Sequence, residues 1–242
     1  MTLLLLAGTG EARRIACGLA DSGVRVTASL AGATRHPEPL PVTTRIGGFG
    51  GEDGFRAYIA SNGITAVLDA THPFAAKISA RTARVCGGLG LPYAQVMRPE
   101  WVAQSGDIWT HVDAPADVAR HVPQGATVFL ATGRNTLAEY GAFVGRRVLV
   151  RVIDPPAAPL PFERGEFVIG RPPFSPAYES KLFEGLGVTH LVVKNAGGEG
   201  GRAKLDAARE LLLPVIMLRR PACGQGVHLD SVQGALAWAL RQ

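Results

Sequence analysis

Apolar residues in this chain come in short unbroken runs, separated by longer amphipathic stretches, rather than in strict alternation with polar ones. A strand covered by helices on both faces reads this way, so the pattern predicts β-α units around parallel sheets. Residues 2–7 form the first such run, a helix over 11–22 ends at Gly23, and a strand follows over 24–30. Residues 43–46 read as a short strand, 52–61 as a helix stopped by Asn62-Gly63, 66–70 as a strand, 73–87 as a helix and 92–96 as a strand. A connector over 114–124 leads to a second series. It has strands over 127–131, 147–152, 188–194 and 215–218, and helices over 135–143, 175–186, 201–213 and 231–241. Residues 154–161 are proline-rich and must be an extended loop, since proline continues neither a helix nor a central strand. The predicted class is α/β: two Rossmann-like, doubly wound parallel-sheet domains with a cleft between them. Residues 1–120 would be a dinucleotide-binding domain and 121–242 a domain contributing to substrate binding.

Composition narrows the function classes. No apolar run approaches the roughly 20 residues of a membrane span, and residues 3–7 lack the charged flank and cleavage site of a signal peptide. A cytoplasmic protein with no membrane contact is expected. Cys17, Cys86 and Cys223 are scattered; they read as three reduced, buried thiols and give no metal signature. The net charge of +5 is dispersed rather than gathered into a basic stripe, which argues against nucleic acid and suits a small, multiply anionic ligand.

The candidate chemistry lies at predicted strand ends, where open α/β sheets bind ligands. Gly8-Thr9-Gly10-Glu11-Ala12-Arg13 leaves a buried strand and enters a helix. Gly8 permits a tight turn, Gly10 permits close approach of backbone to a phosphate, and the helix N-terminus holds the anion. Arg13 stands where the dinucleotide fingerprint has its third glycine and supplies a cation instead. After the second predicted strand no acid appears until Glu38, while Ser29, Thr34 and Arg35 suit a 2′-phosphate, so NADPH is favoured over NADH. Gly47 and Gly48 follow the third strand and would also approach the cofactor; Thr71, His72 and Lys77 follow the fourth. In the second half, Thr132-Gly133-Arg134-Asn135, Arg151, and Lys194-Asn195-Ala196-Gly197-Gly198 with Lys204 beyond repeat the pairing of strand end, turn and cation. No GxSxG elbow, HExxH helix or Walker loop is present.

The ordered set LAGTGEAR, GGFGG, DATHPFA, TGRN and KNAGGEGG resembles the precorrin-6A reductases of cobalamin biosynthesis from Leu5 to Pro221. The resemblance implies two Rossmann-like domains and reduction of one carbon–carbon double bond of the precorrin-6A macrocycle. Hydride from NADPH would reach C19 and a proton C18, with water the candidate proton source, giving precorrin-6B. It implies that Gly8, Thr9, Gly10, Glu11, Ala12, Arg13, Ser29, Arg35, Gly47 and Gly48 hold the cofactor and that His72 and Lys77 border the reacting carbons. The macrocycle's carboxylates would meet Thr132, Gly133, Arg134, Asn135, Arg151, Lys194, Asn195, Gly197, Gly198 and Lys204. No metal is implied, and a monomer is expected. The alternatives are a cobalt-precorrin-6A reductase using NADH, an NADPH-dependent reductase or epimerase of another small anion, and a nucleotide-sensing module without turnover.

Overall fold

The computed structural model describes residues 1–32, 38–141, 143–154, 158–224 and 226–242. It divides into two units: Met1–Pro99 together with Pro221–Gln242, and Glu100–Arg220.

Unit 1 begins with β1 (Thr2–Leu6), α1 (Gly10–Leu19), β2 (Arg25–Leu30), β3 (Thr43–Ile46), α2 (Gly51–Ser61), β4 (Ala66–Asp69), α3 (Ala76–Leu89) and β5 (Tyr93–Val96). Unit 2 carries β6 (Trp109–Val112), a 3-10 helix at Pro115–His121, β7 (Thr127–Leu130), a 3-10 turn at Leu137–Tyr140, β8 (Arg147–Val152) and β9 (Gly165–Ile169). It continues with α4 (Pro176–Leu186), β10 (His190–Lys194), α5 (Ala203–Glu210) and β11 (Val215–Leu218). The chain then returns to unit 1 for β12 (Val227–Leu229) and α6 (Val232–Ala239).

Both sheets are six-stranded and parallel, ordered β3-β2-β1-β4-β5-β12 and β9-β8-β7-β10-β11-β6. Each therefore grows outward in two directions from a central strand, β1 or β7. The gap at the carboxyl ends, where the order reverses, is the switch point at which such sheets bind ligands. In unit 2 the sixth place is filled by β6, which precedes β7 in the chain; in unit 1 it is filled by β12, the last strand.

The central strands are buried on both faces, as their unbroken apolar runs require. Leu3, Leu4 and Leu5 of β1 are 0% exposed, as are Val128, Phe129 and Leu130 of β7. The expected boundary near residue 120 is corrected: unit 2 starts at Glu100, and the last 22 residues, 221–242, belong to unit 1. The physical reason is α6, whose Ala235, Trp238 and Ala239 complete the core that β1, β2, β4 and α1 begin. Gly18 of α1 allows this docking, since a β-carbon there would sit 2.8 Å from Leu236.

Three strands escape the apolar pattern, β6, β9 and β12, all at sheet edges. The helix expected over 135–143 is only the 3-10 turn at Leu137–Tyr140, and Ala142 lies outside the described residues. Of the cysteines only Cys86 is buried; Cys17 and Cys223 are exposed, correcting the expectation of three core thiols. Burial, with the Asp69 carboxylate nearby, pushes the Cys86 thiol up to about 12. Among the described residues no helix is long and apolar enough to cross a membrane, and none of their side chains form a metal-binding cluster.

Because Trp238 is 7% exposed in the unit 1 core, Trp238→Ala should destabilise unit 1 by roughly 3–5 kcal/mol. Urea unfolding checks this; a loss below about 1 kcal/mol would mean that the returning segment is not part of that core.

Candidate active site

At the switch point of unit 1, Leu6 of β1 lies level with Ser29 of β2 and with Asp69 of β4. Gly8 follows at φ +122, a conformation open to glycine, and a β-carbon at Gly8 or Gly10 would meet nothing within 4 Å. Thr9 caps α1: its hydroxyl accepts from the Ala12 amide (3.1 Å) and donates to the Ala70 carbonyl (2.7 Å). One side chain thus starts the helix and ties the turn after β1 to the turn after β4. The first main-chain helical bond runs from Arg13 to Thr9, so the Gly10 and Glu11 amides have no partner within the helix and point out of its N-terminus. The open cradle and the dipole above it fit a dinucleotide's pyrophosphate.

Glu11 would repel such an anion, but its carboxylate is compensated by Arg14 (3.3 Å) and by Arg98, which arrives from the segment after β5. Arg98 was not singled out from the sequence, because only the fold brings residue 98 to residue 11. Arg13 turns elsewhere: it pairs with Glu38 (2.9 Å) and donates to the Pro39 carbonyl (3.1 Å). Its guanidinium therefore braces the segment after β2. The buried Ala12 contributes packing, its amide being engaged by Thr9.

Ser29 is buried, and its hydroxyl accepts from Arg45 at 2.7 Å. Gly47 has φ +117, and a β-carbon at Gly47 or Gly48 would again meet open space. Arg35 lies outside the described residues, as does Thr34. On the other side of the switch point the Asp69 carboxylate is wholly buried. It accepts from the Thr71 hydroxyl (2.6 Å), the Thr71 amide (3.0 Å) and the Tyr93 phenol (3.1 Å). Burial first, and then Asp69, pushes the Tyr93 phenol's pKa up. This fixes the Asp-Ala-Thr-His turn, leaving His72 exposed at its tip with Nδ1 accepting from the Phe74 amide (3.2 Å). Lys77 is exposed in the first turn of α3.

Unit 2 repeats the frame with different contents. Gly133 (φ +75), Arg134 and Asn135 are exposed after β7, and Thr132 is buried. Lys194, half-buried at the end of β10, donates to the Thr136 hydroxyl at 3.3 Å and so spans the second switch point. Burial lowers its pKa, with Glu139 opposing the shift.

Other residues expected to face a substrate are engaged internally. Arg151 is buried and makes a two-pronged pair with Glu179 (2.7 and 2.9 Å), its guanidinium 4.3 Å from the Phe174 ring and 4.8 Å from the Phe129 ring. Both Nη groups of Arg151 are thus committed to Glu179, and removing one member of such a pair strands a buried charge, typically at about 3–5 kcal/mol. Asn195, 2% exposed, accepts from the Trp101 amide (2.9 Å) and donates to the Trp101 carbonyl and to Glu100 (both 3.1 Å). Trp101 Nε1 donates to the Gly198 carbonyl (2.7 Å), and a β-carbon at Gly201 would lie 2.9 Å from its ring. Arg220 donates to the Asn195 and Ala196 carbonyls (3.2 and 3.1 Å). The Lys194–Gly201 turn therefore fastens Glu100, Trp101 and Arg220, residues at the two ends of unit 2, and Gly197 is buried within it. Gly197 (φ +68) and Gly198 (φ +71) take the left-handed bends of this turn, and Gly201 leaves room for the Trp101 ring. Lys204 donates to the Gly201 carbonyl (2.8 Å). Burial lowers its pKa to about 8, with Glu179 opposing and Arg151 adding to the shift.

A family model described as precorrin-6x reductase CbiJ/CobK matches residues 2–240. The chain belongs to that family. It is 44% identical over 98% of its length, and 94% of the relative's, to a precorrin-6A reductase of Rhodobacter capsulatus. It is 41% identical over 98% of its length, and 96% of the relative's, to one of Rhodococcus erythropolis. A cobalt-precorrin-6A reductase of Priestia megaterium is 28% identical over 93% of this chain and 92% of its own. The solved structure of a CobK precorrin-6A reductase superposes with a TM-score of 0.94 at 43% identity, covering 98% of this chain and 95% of that one. The CbiJ/CobK family thus carries the two-sheet frame described above.

Lys204 generates a pH prediction. With a folded pKa near 8 against an unfolded value near 10.4, its charge opposes folding below pH 8, and the penalty, on the order of 3 kcal/mol, fades as pH rises to about 10.4. Lys204→Met should therefore be more stable than the parent at pH 7, with an advantage that shrinks from pH 8 to 10. Paired urea titrations read the difference, and an advantage that does not vary with pH would contradict the assignment.

Proposed function

We propose that this protein is a precorrin-6A reductase that uses NADPH to convert the metal-free macrocycle to precorrin-6B. The observation that carries this reading is an open glycine cradle at the switch point of a complete Rossmann sheet, in a chain that aligns end to end with precorrin-6A reductases. A bound reduced nicotinamide would supply the hydride for C19, the proton for C18 coming from water.

This chain's residues bind and orient. Gly8, Thr9, Gly10 and Glu11 hold the pyrophosphate at α1, with Arg14 and Arg98 cancelling the Glu11 charge. Ser29, Gly47 and Gly48 flank the adenosine ribose, and His72 and Lys77 stand on the β4 side towards the reacting carbons. Support for NADPH over NADH comes from the carboxyl end of β2. The first acid after it, Glu38, is paired with Arg13, so no carboxylate is available there for a free ribose 2′-hydroxyl. Support for the metal-free substrate comes from the relatives: those named precorrin-6A reductase are 39–44% identical and those named cobalt-precorrin-6A reductase 24–29%.

The substrate's carboxylates engage Arg134, Asn135 and Lys194 at the second switch point, where charge-assisted hydrogen bonds are strongest. Thr132, Gly133 and the Asn195–Gly198 turn shape that surface and Lys204 supports it from beneath. The enzyme works in the cytoplasm as a monomer.

Mixing the protein with precorrin-6A and NADPH should change the visible spectrum with stoichiometric nicotinamide oxidation. Arg134→Ala and Lys194→Ala should each raise KM for the tetrapyrrole about tenfold while moving KM for NADPH less than about twofold. No spectral change with wild-type protein would sink the assignment.

A further inference from the structure

Arg45 lies on β3 directly opposite Ser29 of β2, a position set by the register of the two strands. Its Nη1 donates to the Ser29 hydroxyl (2.7 Å) and the Gly47 carbonyl (2.9 Å), and its Nη2 to the Gly48 carbonyl (2.9 Å). The guanidinium lies 4.0 Å from the centre of the Phe49 ring and 5.1 Å from that of Tyr58. Three of its five N–H donors are thus engaged by neutral acceptors; among the described residues Nε–H and one Nη2–H are not, and no carboxylate pairs with it. A second guanidinium, Arg81 of α3, lies 5.8 Å from the same Phe49 ring, and its Nε is buried with no hydrogen-bond partner. The nearby Glu52 cannot neutralise them, because it is already held by Arg56 (3.1 Å) and Arg84 (2.6 Å), which keep its carboxyl below the ordinary value.

Elsewhere in the protein arginines are mostly matched: Arg13, Arg14, Arg56, Arg84, Arg98, Arg147, Arg151, Arg209 and others each meet a carboxylate. The uncompensated pair at Phe49 sits beside the carboxyl ends of β2 and β3, next to two glycines above which space is open. In a Rossmann sheet that is where the adenosine ribose lies when the pyrophosphate rests on the first helix. A planar guanidinium held rigidly on an aromatic face, with donors to spare, suits a dianionic phosphate.

We propose that Arg45, backed by the positive field of Arg81, is the residue that reads the cofactor's 2′-phosphate and so sets the choice of NADPH. The proposal rests on the nicotinamide reading of unit 1. Arg35, which the sequence nominates for this phosphate, lies outside the described residues, whereas Arg45 is placed by strand register and by three hydrogen bonds.

The test uses the full chain and calorimetric titration with adenosine 2′,5′-bisphosphate and with AMP, which differ only in the 2′-phosphate. Wild-type protein should bind the bisphosphate about 30-fold more tightly. Arg45→Gln should erase most of that preference while AMP affinity moves less than about threefold, and Arg45→Lys, which keeps the charge, should restore part of it. If Arg45→Gln is misfolded by circular dichroism, Arg45→Lys and Arg81→Gln decide: each should reduce the preference, and two full preferences would overturn the proposal. An equal loss of both ligands in Arg45→Gln would make Arg45 a loop brace only, and an intact preference there, with loss in Arg35→Ala, would move the role to Arg35. Wild-type protein that binds AMP without preferring the bisphosphate overturns this inference and leaves the nicotinamide reading standing; protein that binds neither overturns both.

Discussion

The Thr9 hydroxyl occupies the place on which unit 1 depends as a binding fold. It accepts from the first turn of α1 and donates to the chain leaving β4, so it closes the crevice floor where the strand order reverses. A parallel sheet that grows in both directions from β1 must leave a gap between the turns after β1 and β4. The helix beginning at that gap brings unpaired amides and a positive dipole end. Glycines at positions 8 and 10 keep side chains out of it, and Gly47 and Gly48 leave open space beside the end of β3. The crevice thus follows from topology, and the glycines at its edge leave it open.

Unit 2 obeys the same topology and uses its second turn differently. Lys194 spans the switch point by reaching Thr136, as Thr9 does in unit 1. Beyond it Gly201 makes room for Trp101, the Gly198 carbonyl accepts from the Trp101 indole, and Asn195 and Arg220 help fasten both ends of the unit. The turn after β1 is therefore open at Gly8 and Gly10, whereas the turn after β10 carries the Trp101 indole on its Gly198 carbonyl and beside Gly201. The exposed polar groups of this switch point are accordingly those after β7, with Lys194 half-buried beside them.

Much of this was legible in the sequence because the central strands of a parallel sheet are apolar on both faces. The runs at residues 2–7, 66–70, 127–131 and 215–218 each became a buried strand, and the turn after each first strand announced itself by glycine. Three of the four edge strands were not legible: β6, β9 and β12 bury at most one residue each, so their hydrophobicity resembles that of a loop. Nor does composition say which sheet a late strand joins, which is why the return of residues 221–242 to unit 1 was missed. Arg151 carried a readable warning, since an arginine within the run Val148-Leu149-Val150-Arg151-Val152 must be buried and paired. Arg45 carried none; its significance lies wholly in standing opposite Ser29 across two strands. Arg98 and Trp101 likewise gain their roles from contacts with residues 11 and 195, far away in the chain.

A dinucleotide pyrophosphate at the β1–α1 turn of unit 1 would rest against the Gly8–Glu11 amides. Amide hydrogen exchange of the full chain with and without NADP+ tests this placement most directly, since a bound pyrophosphate shields the amides it touches. Binding there should add protection at Gly8–Ala12 and Gly47–Gly48, with little change at Thr132–Asn135. Protection at Thr132–Asn135 or at Lys194–Gly198, with the β1–α1 turn unaffected, would contradict it.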